Sequence, residues 1–275
     1  MALLFSLCAC APSAAVRVRV MTLNIWNYND PWEARRDLIA ACVNDLRPDI
    51  IGFQEIRTDR SRSPHDQAQQ ITALLREDYQ CVYRPAMTFE REALHEEGLA
   101  ILGRWPIAGW DAVELTRDPA DEADNHQRIL LHAEVRTPAG ALRFFNTHWS
   151  LSEQARARNA AEVRAAVARF AGNLPVVLVG DLNSLPADAG AAALFQPADS
   201  GEVLLTDAWA DIHPNRPGFT HRSDRPARRI DYIALNLGGG EFGRALDVRL
   251  AFDAPSDGLF PSDHIGIIAD LEMTQ

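Results

Sequence analysis

The sequence predicts an α/β protein of the α+β type, in which stacked β-sheets are covered on the outside by a few helices. Three observations support this fold class. Many short apolar or alternating runs are typical of strands, only three segments have long helical periodicity, and no internal repeat is visible. This mixture favours stacked sheets over a simple βαβ ladder. Because no Ser/Gly/Pro-rich linker divides the 275 residues, we expect a single domain over residues 16–275.

The strands are predicted from apolar alternation or from short buried runs that end in polar residues. Residues 16–23 alternate, and residues 49–55 form a buried run that ends in Gln54 and Glu55. Residues 128–135 and 141–148 flank the turn sequence Thr-Pro-Ala-Gly, which predicts a hairpin. The other predicted strands are 79–83, 98–102, 176–179, 230–235, 248–252 and 261–270.

Three helices are predicted, over residues 31–46, 67–75 and 152–170. In the first, apolar side chains recur at helical spacing and Pro48 prevents continuation. The third is amphipathic and rich in alanine, with Ser152 as its N-cap and Gly172 after its end. Residues 57–66, 117–126 and 214–226 lack apolar periodicity and are predicted to be loops.

Composition excludes several functions. All 27 basic residues are arginine, so the chain contains no lysine for Schiff-base chemistry or for a Walker-type phosphate loop. The net charge of −11 argues against a broad nucleic-acid-binding surface, since such surfaces need many basic contacts. A local arginine cluster is expected to hold one phosphate group instead; its members are Arg222, Arg225, Arg228 and Arg229.

Residues 1–15 are apolar and then small, which indicates a signal or lipoprotein leader truncated at its start, with Cys10 as the lipidated residue. No Arg or Lys precedes the apolar run, and a cytosolic protein with an apolar N-terminus is the alternative. The expected location is therefore the cell envelope in the first case and the cytoplasm in the second. Contact with a membrane is expected only through this anchor.

The stretch Val176 to Ser184 carries the strongest chemical signal. After the buried run 176–179, Gly180 frees the backbone, and Asp181 and Asn183 follow at the end of the strand. Residues two apart on an extended chain share a face, so these two side chains are expected to project together. Strand ends are where α/β sheets present their polar chemistry.

Other predicted strands end in the same way, and their polar residues are expected to converge on one site. The strand-end residues are Asn24, Glu55, His148, Asp181, Asn183, Asp231, Asp263 and His264. Hard oxygen ligands without cysteine suit Mg²⁺ or Mn²⁺. We expect Glu55 and Asp263 to be ligands of such an ion.

Seven sequence blocks, in this order, resemble the endonuclease/exonuclease/phosphatase superfamily, whose members share the DNase I-like fold. The blocks are residues 21–27, Gln54-Glu55, 98–102 with Pro106, Asn146-Thr-His148, Gly180-Asp-Leu-Asn183, Arg229-Ile-Asp-Tyr-Ile233 and Ser262-Asp-His264. The resemblance covers about residues 16–271. It implies a four-layer sandwich of two mixed β-sheets flanked by helices, with the site at one end between the sheets.

The resemblance also implies roles for the strand-end carboxylates and amides. Glu55, Asn24 and Asp263 are expected to hold the metal ion. Asp181 is expected to orient or deprotonate the attacking water, while Asn183 donates a hydrogen bond to a phosphate oxygen.

For the histidines, the resemblance implies that His264 stabilises the transition state or protonates the leaving oxygen, with Asp231 bonded to its second nitrogen. His148 is expected to be a second acid or phosphate donor, paired with Glu97. Arg128 is expected to contact a phosphate oxygen.

The expected function is therefore divalent-metal-dependent hydrolysis of phosphate esters, as a phosphodiesterase or phosphatase acting on a small-molecule or lipid phosphoester. A nuclease acting on DNA or RNA is one alternative, which the acidic net charge disfavours. A non-catalytic binding module on the same fold is another. We expect the chain to act as a monomer whose main partner is its substrate.

Overall fold

The computed structural model describes residues 15–89, 95–196 and 203–274. Twelve strands form two six-stranded mixed sheets, with strand orders β11-β12-β1-β2-β4-β3 (sheet A) and β5-β6-β7-β8-β10-β9 (sheet B). The strands are β1 (Val16–Asn24), β2 (Ile50–Asp59), β3 (Gln80–Phe89), β4 (His95–Gly103), β5 (Ile107–Glu114), β6 (Ile129–Thr137), β7 (Gly140–His148), β8 (Val176–Asp181), β9 (Thr206–Asp207), β10 (Asp231–Asn236), β11 (Gly243–Ala251) and β12 (Gly266–Met273). The α-helices are α1 (Trp32–Leu46), α2 (Gln67–Thr72), α3 (Glu153–Ala171), α4 (Ala189–Leu194) and α5 (Ala208–Ile212).

Three apolar clusters correspond to the three interfaces of a four-layer sandwich. The first lies between the sheets and includes Val20 from sheet A and Val179 from sheet B. The second joins α3 to sheet B, and the third joins α1 to sheet A. The predicted two-sheet sandwich flanked by helices is therefore confirmed, and burial of apolar surface on both faces of each sheet holds the layers together.

Strand alternation decides which residues enter the space between the sheets. On β1, Val18 and Val20 join the inter-sheet cluster, while Met21 and Leu23 pack beneath α1. The next residue on the inter-sheet side after Thr22 is therefore Asn24, at the end of the strand. The same alternation on the other central strands delivers their final polar residues to this inner space.

Two predicted helices, α1 and α3, are confirmed, and so is the predicted β6–β7 hairpin. Their ends differ from the predicted ends by two residues at most. The predicted loop 57–66 is wrong at its start, because β2 continues to Asp59. There, residues 56–59 all pair with residues of β4, and Ile56, Thr58 and Asp59 are buried. The sequence did not predict this extension, because the residues that follow the short apolar run are mostly charged or polar.

Strand β5 and helix α5 were not predicted. β5 is an edge strand that is mostly exposed, so its sequence lacks the apolar alternation that identifies a half-buried strand. Helix α5 has only five residues and depends on Asp207, whose side chain caps it by accepting hydrogen bonds from the backbone N–H groups of Trp209 and Ala210. The predicted helix 67–75 ends earlier, at Thr72.

The predicted leader falls almost entirely on residues 1–14, which lie outside the described residues. Within the described part of the chain, none of the helices combines the length and the apolar character needed to span a bilayer.

His132 is a buried histidine away from the strand ends. Its ring stacks on Phe170 with centroids 4.2 Å apart, and neither ring nitrogen has a hydrogen-bond partner among the described residues. Burial lowers the pKa of His132 below its ordinary value of 6.5, and the charge of Arg143 lowers it further. The ring is therefore neutral in the folded protein.

We expect His132→Phe to make the stability of the protein less sensitive to acid. Because the pKa of His132 is lower in the folded chain, the unfolded chain binds the proton first as the pH falls below about 6.5, and stability drops by up to about 1.4 kcal/mol per pH unit. Urea denaturation at pH 7.5 and 5.5 measures this loss. The exposed His65→Asn is measured alongside as a control for the replacement of a surface histidine. An unchanged acid sensitivity in His132→Phe would contradict this account.

Candidate active site

Three titratable side chains of sheet B stand side by side because of strand register. His148 at the end of β7 is the partner of Asp181 on β8, and Asp181 is in turn the partner of Asp231 on β10. All three lie on the inner face of the sheet and are buried. The prediction that strand-end residues meet is correct for this row.

Gly180 permits the close approach of β7 and β8 next to Asp181. Its φ is +154°, and a Cβ atom at this position would lie 2.1 Å from the backbone oxygen of Thr147. Glycine is therefore required for backbone pairing as well as for the conformation that releases Asp181.

Sheet A contributes Glu55 through a distortion of β2. Alternation alone would send Glu55 to the helix side, since Gln54 occupies the inner face. The register shifts between Phe53 and Ile56, and Glu55 adopts a left-handed φ of +56°. A bulge of this kind re-aims one side chain. Here it turns Glu55 towards the site, where its two oxygens accept hydrogen bonds from Asn24 Nδ2 (3.0 Å) and Asn27 Nδ2 (2.8 Å).

The Asn24 amide joins the two sheets at the site. Besides Glu55, its Nδ2 also donates to Asp181 Oδ2 at 3.1 Å, and its Oδ1 accepts the backbone N–H of Trp26 at 2.9 Å. The amide hydrogens therefore face both carboxylates, and the amide oxygen is engaged within its own loop. Ser262 adds a 2.6 Å hydrogen bond to the Asn24 carbonyl, which ties the His264 segment to β1.

A second polar contact between the sheets lies below the site. Asn146 on β7 donates to the carbonyls of Phe53 and Ala100, both at 2.9 Å, and its Oδ1 accepts from Gln54 Nε2 at 2.7 Å. All of these groups are buried, so each hydrogen bond replaces one lost to water. This network fixes the position of one sheet relative to the other directly beneath the catalytic candidates.

His264 is held as a cation between two aspartates. Its Nδ1 lies 2.9 Å from Asp231 Oδ2, and its Nε2 lies 3.7 Å from Asp181 Oδ2. Burial by itself lowers the pKa of His264, but the charges of Asp231 and Asp181 outweigh burial and raise that pKa to about 10. Burial also raises the pKa of Asp181 to about 6, the charge of Asp231 adds to the rise, and His264 limits it.

His148, in contrast to His264, is neutral. Burial lowers its pKa well below the ordinary value, and the charge of Arg128 lowers it further. Arg128 Nη1 lies 3.1 Å from His148 Nδ1. Because a guanidinium only donates, Nδ1 accepts, and the proton of the neutral ring stands on Nε2. Glu97, the expected partner of His148, pairs instead with Arg57 at 2.7 Å.

Several hydrogen-bond donors around His148 lack an acceptor. Its Nε2–H faces Asn183 Nδ2 at 3.1 Å, although both atoms donate, while the same amide also donates to the Trp149 carbonyl. Arg128 Nε is buried without a partner among the described residues, and none of the described carboxylates forms an ion pair with Arg128. Buried donors and a buried cation in this state are satisfied by an anion with several oxygen atoms.

These groups line one cleft of about 370 Å³. The predicted site residues that line this cleft are Glu55, Arg128, His148, Asp181, Asn183, Asp263 and His264. Asn24 and Asp231 are fully buried and contact lining residues through hydrogen bonds. The lining also includes residues that sequence reasoning did not assign to the site: Trp26, Asn27, Arg57, His126, Leu151, His221 and Ile230. The His221 segment has no regular pattern, and only its position before the Arg229–Ile233 block could have indicated it.

The predicted arginine cluster is dispersed in the structure. Arg222 pairs with Asp224, and Arg229 pairs with Asp207, and neither arginine lines the cleft. Arg228 lines the cleft, whereas Arg225 does not. The expectation that this whole cluster holds one phosphate is therefore wrong, and only Arg228 is placed to do so.

The residues present suit a divalent cation. Asp263 Oδ1 is buried without a hydrogen-bond partner among the described residues, and a cation would satisfy this oxygen. Asp263 belongs to a group with His221 and His264 whose potential ligand atoms lie within 4.8 Å of one another, and its carboxylate is the member suited to a cation, because the charged His264 ring has no free lone pair. Glu55 presents a second carboxylate to the same cleft.

A model of the Endonuclease/Exonuclease/phosphatase family matches residues 21–264. The chain belongs to this family. Proteins of this family are phosphoester hydrolases, and the predicted family and fold are therefore confirmed. Among curated proteins, no sequence matches this one.

Solved structures with this fold include an endonuclease/exonuclease/phosphatase from Bacteroides vulgatus, which is 20% identical, with a TM-score of 0.73 over 94% of this chain and 99% of that one. Truncated Caenorhabditis elegans TDP2 is 20% identical, with a TM-score of 0.70 over 93% and 97%. A Bacteroides thetaiotaomicron mannosyl-6-phosphatase is 19% identical, with a TM-score of 0.69 over 92% and 99%. These likenesses establish a shared fold.

We expect Gly180→Ala to destabilise the protein by at least about 2 kcal/mol, because the added methyl group meets a backbone oxygen that cannot move without breaking strand pairing. Urea denaturation measures this change. Gly109→Ala is the matched control: Gly109 also lies in a strand, but a Cβ atom there meets no heavy atom within 4 Å. Equal stabilities of the two variants would contradict the proposed close approach.

Proposed function

We propose that this protein hydrolyses phosphate esters by in-line attack of water, with the help of Mg²⁺ or Mn²⁺. The observation that carries the proposal is the set of donors around His148 that lack an acceptor, next to a buried carboxylate whose pKa is close to neutral. A phosphate group supplies the missing acceptors, and the carboxylate can take a proton from water.

In this proposal, Glu55 and Asp263 hold the metal ion. Asn24, expected from the sequence as a ligand, instead positions Glu55 and Asp181 through its amide hydrogens. When bound, the ion neutralises negative charge on the phosphate and polarises its oxygens. Carboxylates without cysteine are the ligand set that Mg²⁺ and Mn²⁺ prefer.

Asp181 acts as the general base. Its Oδ1 accepts the backbone N–H of Asn183 at 2.9 Å, while its Oδ2 faces Asn24 and both histidines. Water attacks phosphorus as Asp181 takes one water proton, and the bond from phosphorus to the ester oxygen breaks. The ester oxygen leaves with the bonding electron pair and takes a proton from solvent. A pKa of about 6 leaves Asp181 mostly deprotonated at neutral pH and still able to hold the proton.

The two histidines have different tasks. His264, kept charged by Asp231, donates its Nε2–H to the negative charge that develops on the phosphoryl group. His148 is neutral and donates its Nε2–H to another phosphate oxygen, together with Asn183, while Arg128 fixes its tautomer and supplies positive charge. Pairs of groups with pKa values driven apart are typical of acid–base sites.

The test is hydrolysis of bis-p-nitrophenyl phosphate and p-nitrophenyl phosphate by purified protein with Mg²⁺ or Mn²⁺, with and without EDTA. We expect turnover that EDTA abolishes. Absence of metal-dependent turnover on these esters, and also on DNA, RNA, phospholipid head groups and sugar phosphates, would refute the proposal.

We expect Asp181→Asn to lower kcat by at least about 100-fold, because the general base is lost. The exposed Asp211→Asn is the control and should retain activity. Isothermal titration with Mn²⁺ should show that Asp181→Asn still binds the metal. If wild type and variant bind inorganic phosphate alike and neither hydrolyses an ester, the chain is a binding module and not an enzyme.

A further inference from the structure

A second histidine–arginine pair lies next to His264. Arg228 Nη2 lies 2.6 Å from His221 Nδ1, and the rings of His221 and His264 have centroids 4.8 Å apart. Main-chain bridges join His221 to both Arg228 and His264, so the pair is attached to the site by backbone pairing. Both residues line the cleft.

Arg228 determines which His221 nitrogen can donate. A guanidinium has no acceptor, so His221 Nδ1 must accept and the ring proton stands on Nε2. Nε2 lies 3.7 Å from Asp263 Oδ2, too far for a hydrogen bond. The proton on Nε2 also makes this tautomer unsuitable as a metal ligand, since a ligating nitrogen needs its lone pair. His221 is therefore a free donor beside the metal-binding carboxylate.

A row of neighbouring side chains links the two histidine–arginine pairs. Arg128 contacts His148, both His148 and His264 lie near Asp181, and the His264 ring lies next to the His221 ring, which contacts Arg228. Neither Arg128 nor Arg228 forms an ion pair with a carboxylate among the described residues, although this chain carries a net charge of −11. By contrast, Arg57 in the same cleft is paired with Glu97.

On the basis of the proposed hydrolysis, we propose that His221 and Arg228 form a binding arm for a third phosphoryl oxygen, so that the substrates of this site are phosphate monoesters in preference to diesters. A monoester has three non-bridging oxygens and two negative charges. The row offers three sets of donors, at His148, His264 and His221, and two uncompensated guanidinium groups. A diester carries one charge and places an organic group where the third oxygen would be, which leaves one arm unsatisfied.

The experiment compares binding and turnover in wild type, Arg228→Gln and the control Arg225→Gln, all with Mg²⁺ present. Arg225 is on the same exposed segment but outside the cleft. Isothermal titration uses inorganic phosphate at pH 8, a dianion, and dimethyl phosphate, a monoanion. Kinetics use p-nitrophenyl phosphate and bis-p-nitrophenyl phosphate, which share a leaving group.

We expect wild type to bind phosphate more tightly than dimethyl phosphate and to prefer the monoester. Arg228→Gln should weaken phosphate binding about tenfold more than dimethyl phosphate binding, and lower kcat/KM for the monoester about tenfold more than for the diester. Arg225→Gln should match wild type.

Equal losses for both phosphates, no loss at all, or a wild-type preference for dimethyl phosphate or the diester would overturn the binding arm. If neither ester is hydrolysed by wild type, the proposed function fails, while the two titrations still decide whether the arm recognises the dianion.

Discussion

The site depends on the Asn24 amide, which donates one hydrogen bond to Glu55 on sheet A and another to Asp181 on sheet B. Two carboxylates from different sheets repel each other when they are brought together away from water, and burial raises this cost. The shared amide offsets part of it and fixes their relative position. Below it, the Asn146 and Gln54 contacts hold the sheets in the same alignment. The relative position of Glu55 and Asp181 is thus determined by the polar contacts that join the two sheets.

The charge state of each histidine in the site is determined by the charged side chains next to it. His264 has two aspartates and stays charged, whereas His148 has an arginine and stays neutral. Both present an Nε2–H to the same carboxylate, at 3.7 and 3.5 Å from Asp181. These donors cost stability as long as they lack an acceptor, a pattern expected at sites arranged for a charged ligand.

Much of this arrangement follows from the sequence. Alternation along β1, β7 and β8 places Asn24 of sheet A and both His148 and Asp181 of sheet B on the sheet faces that meet between the two sheets, and the family blocks locate the same residues. Other features are absent from any local pattern. The left-handed φ of Glu55 is imposed by the bulge in β2, and such a conformation is costly for a residue other than glycine, so tertiary packing must enforce it. Arg128 lies just before β6 and contacts His148 at the end of β7, and the His221 segment is irregular, so neither feature could be predicted from periodicity.

The most direct test of the account is anomalous diffraction from crystals of the protein grown with Mn²⁺ and inorganic phosphate. The account predicts a manganese peak bonded to the carboxylates of Glu55 and Asp263, with phosphate oxygens near His148 and His264. A manganese peak bonded to the ring nitrogens of His221 and His264 without Glu55, or phosphate bound outside the cleft, would contradict it.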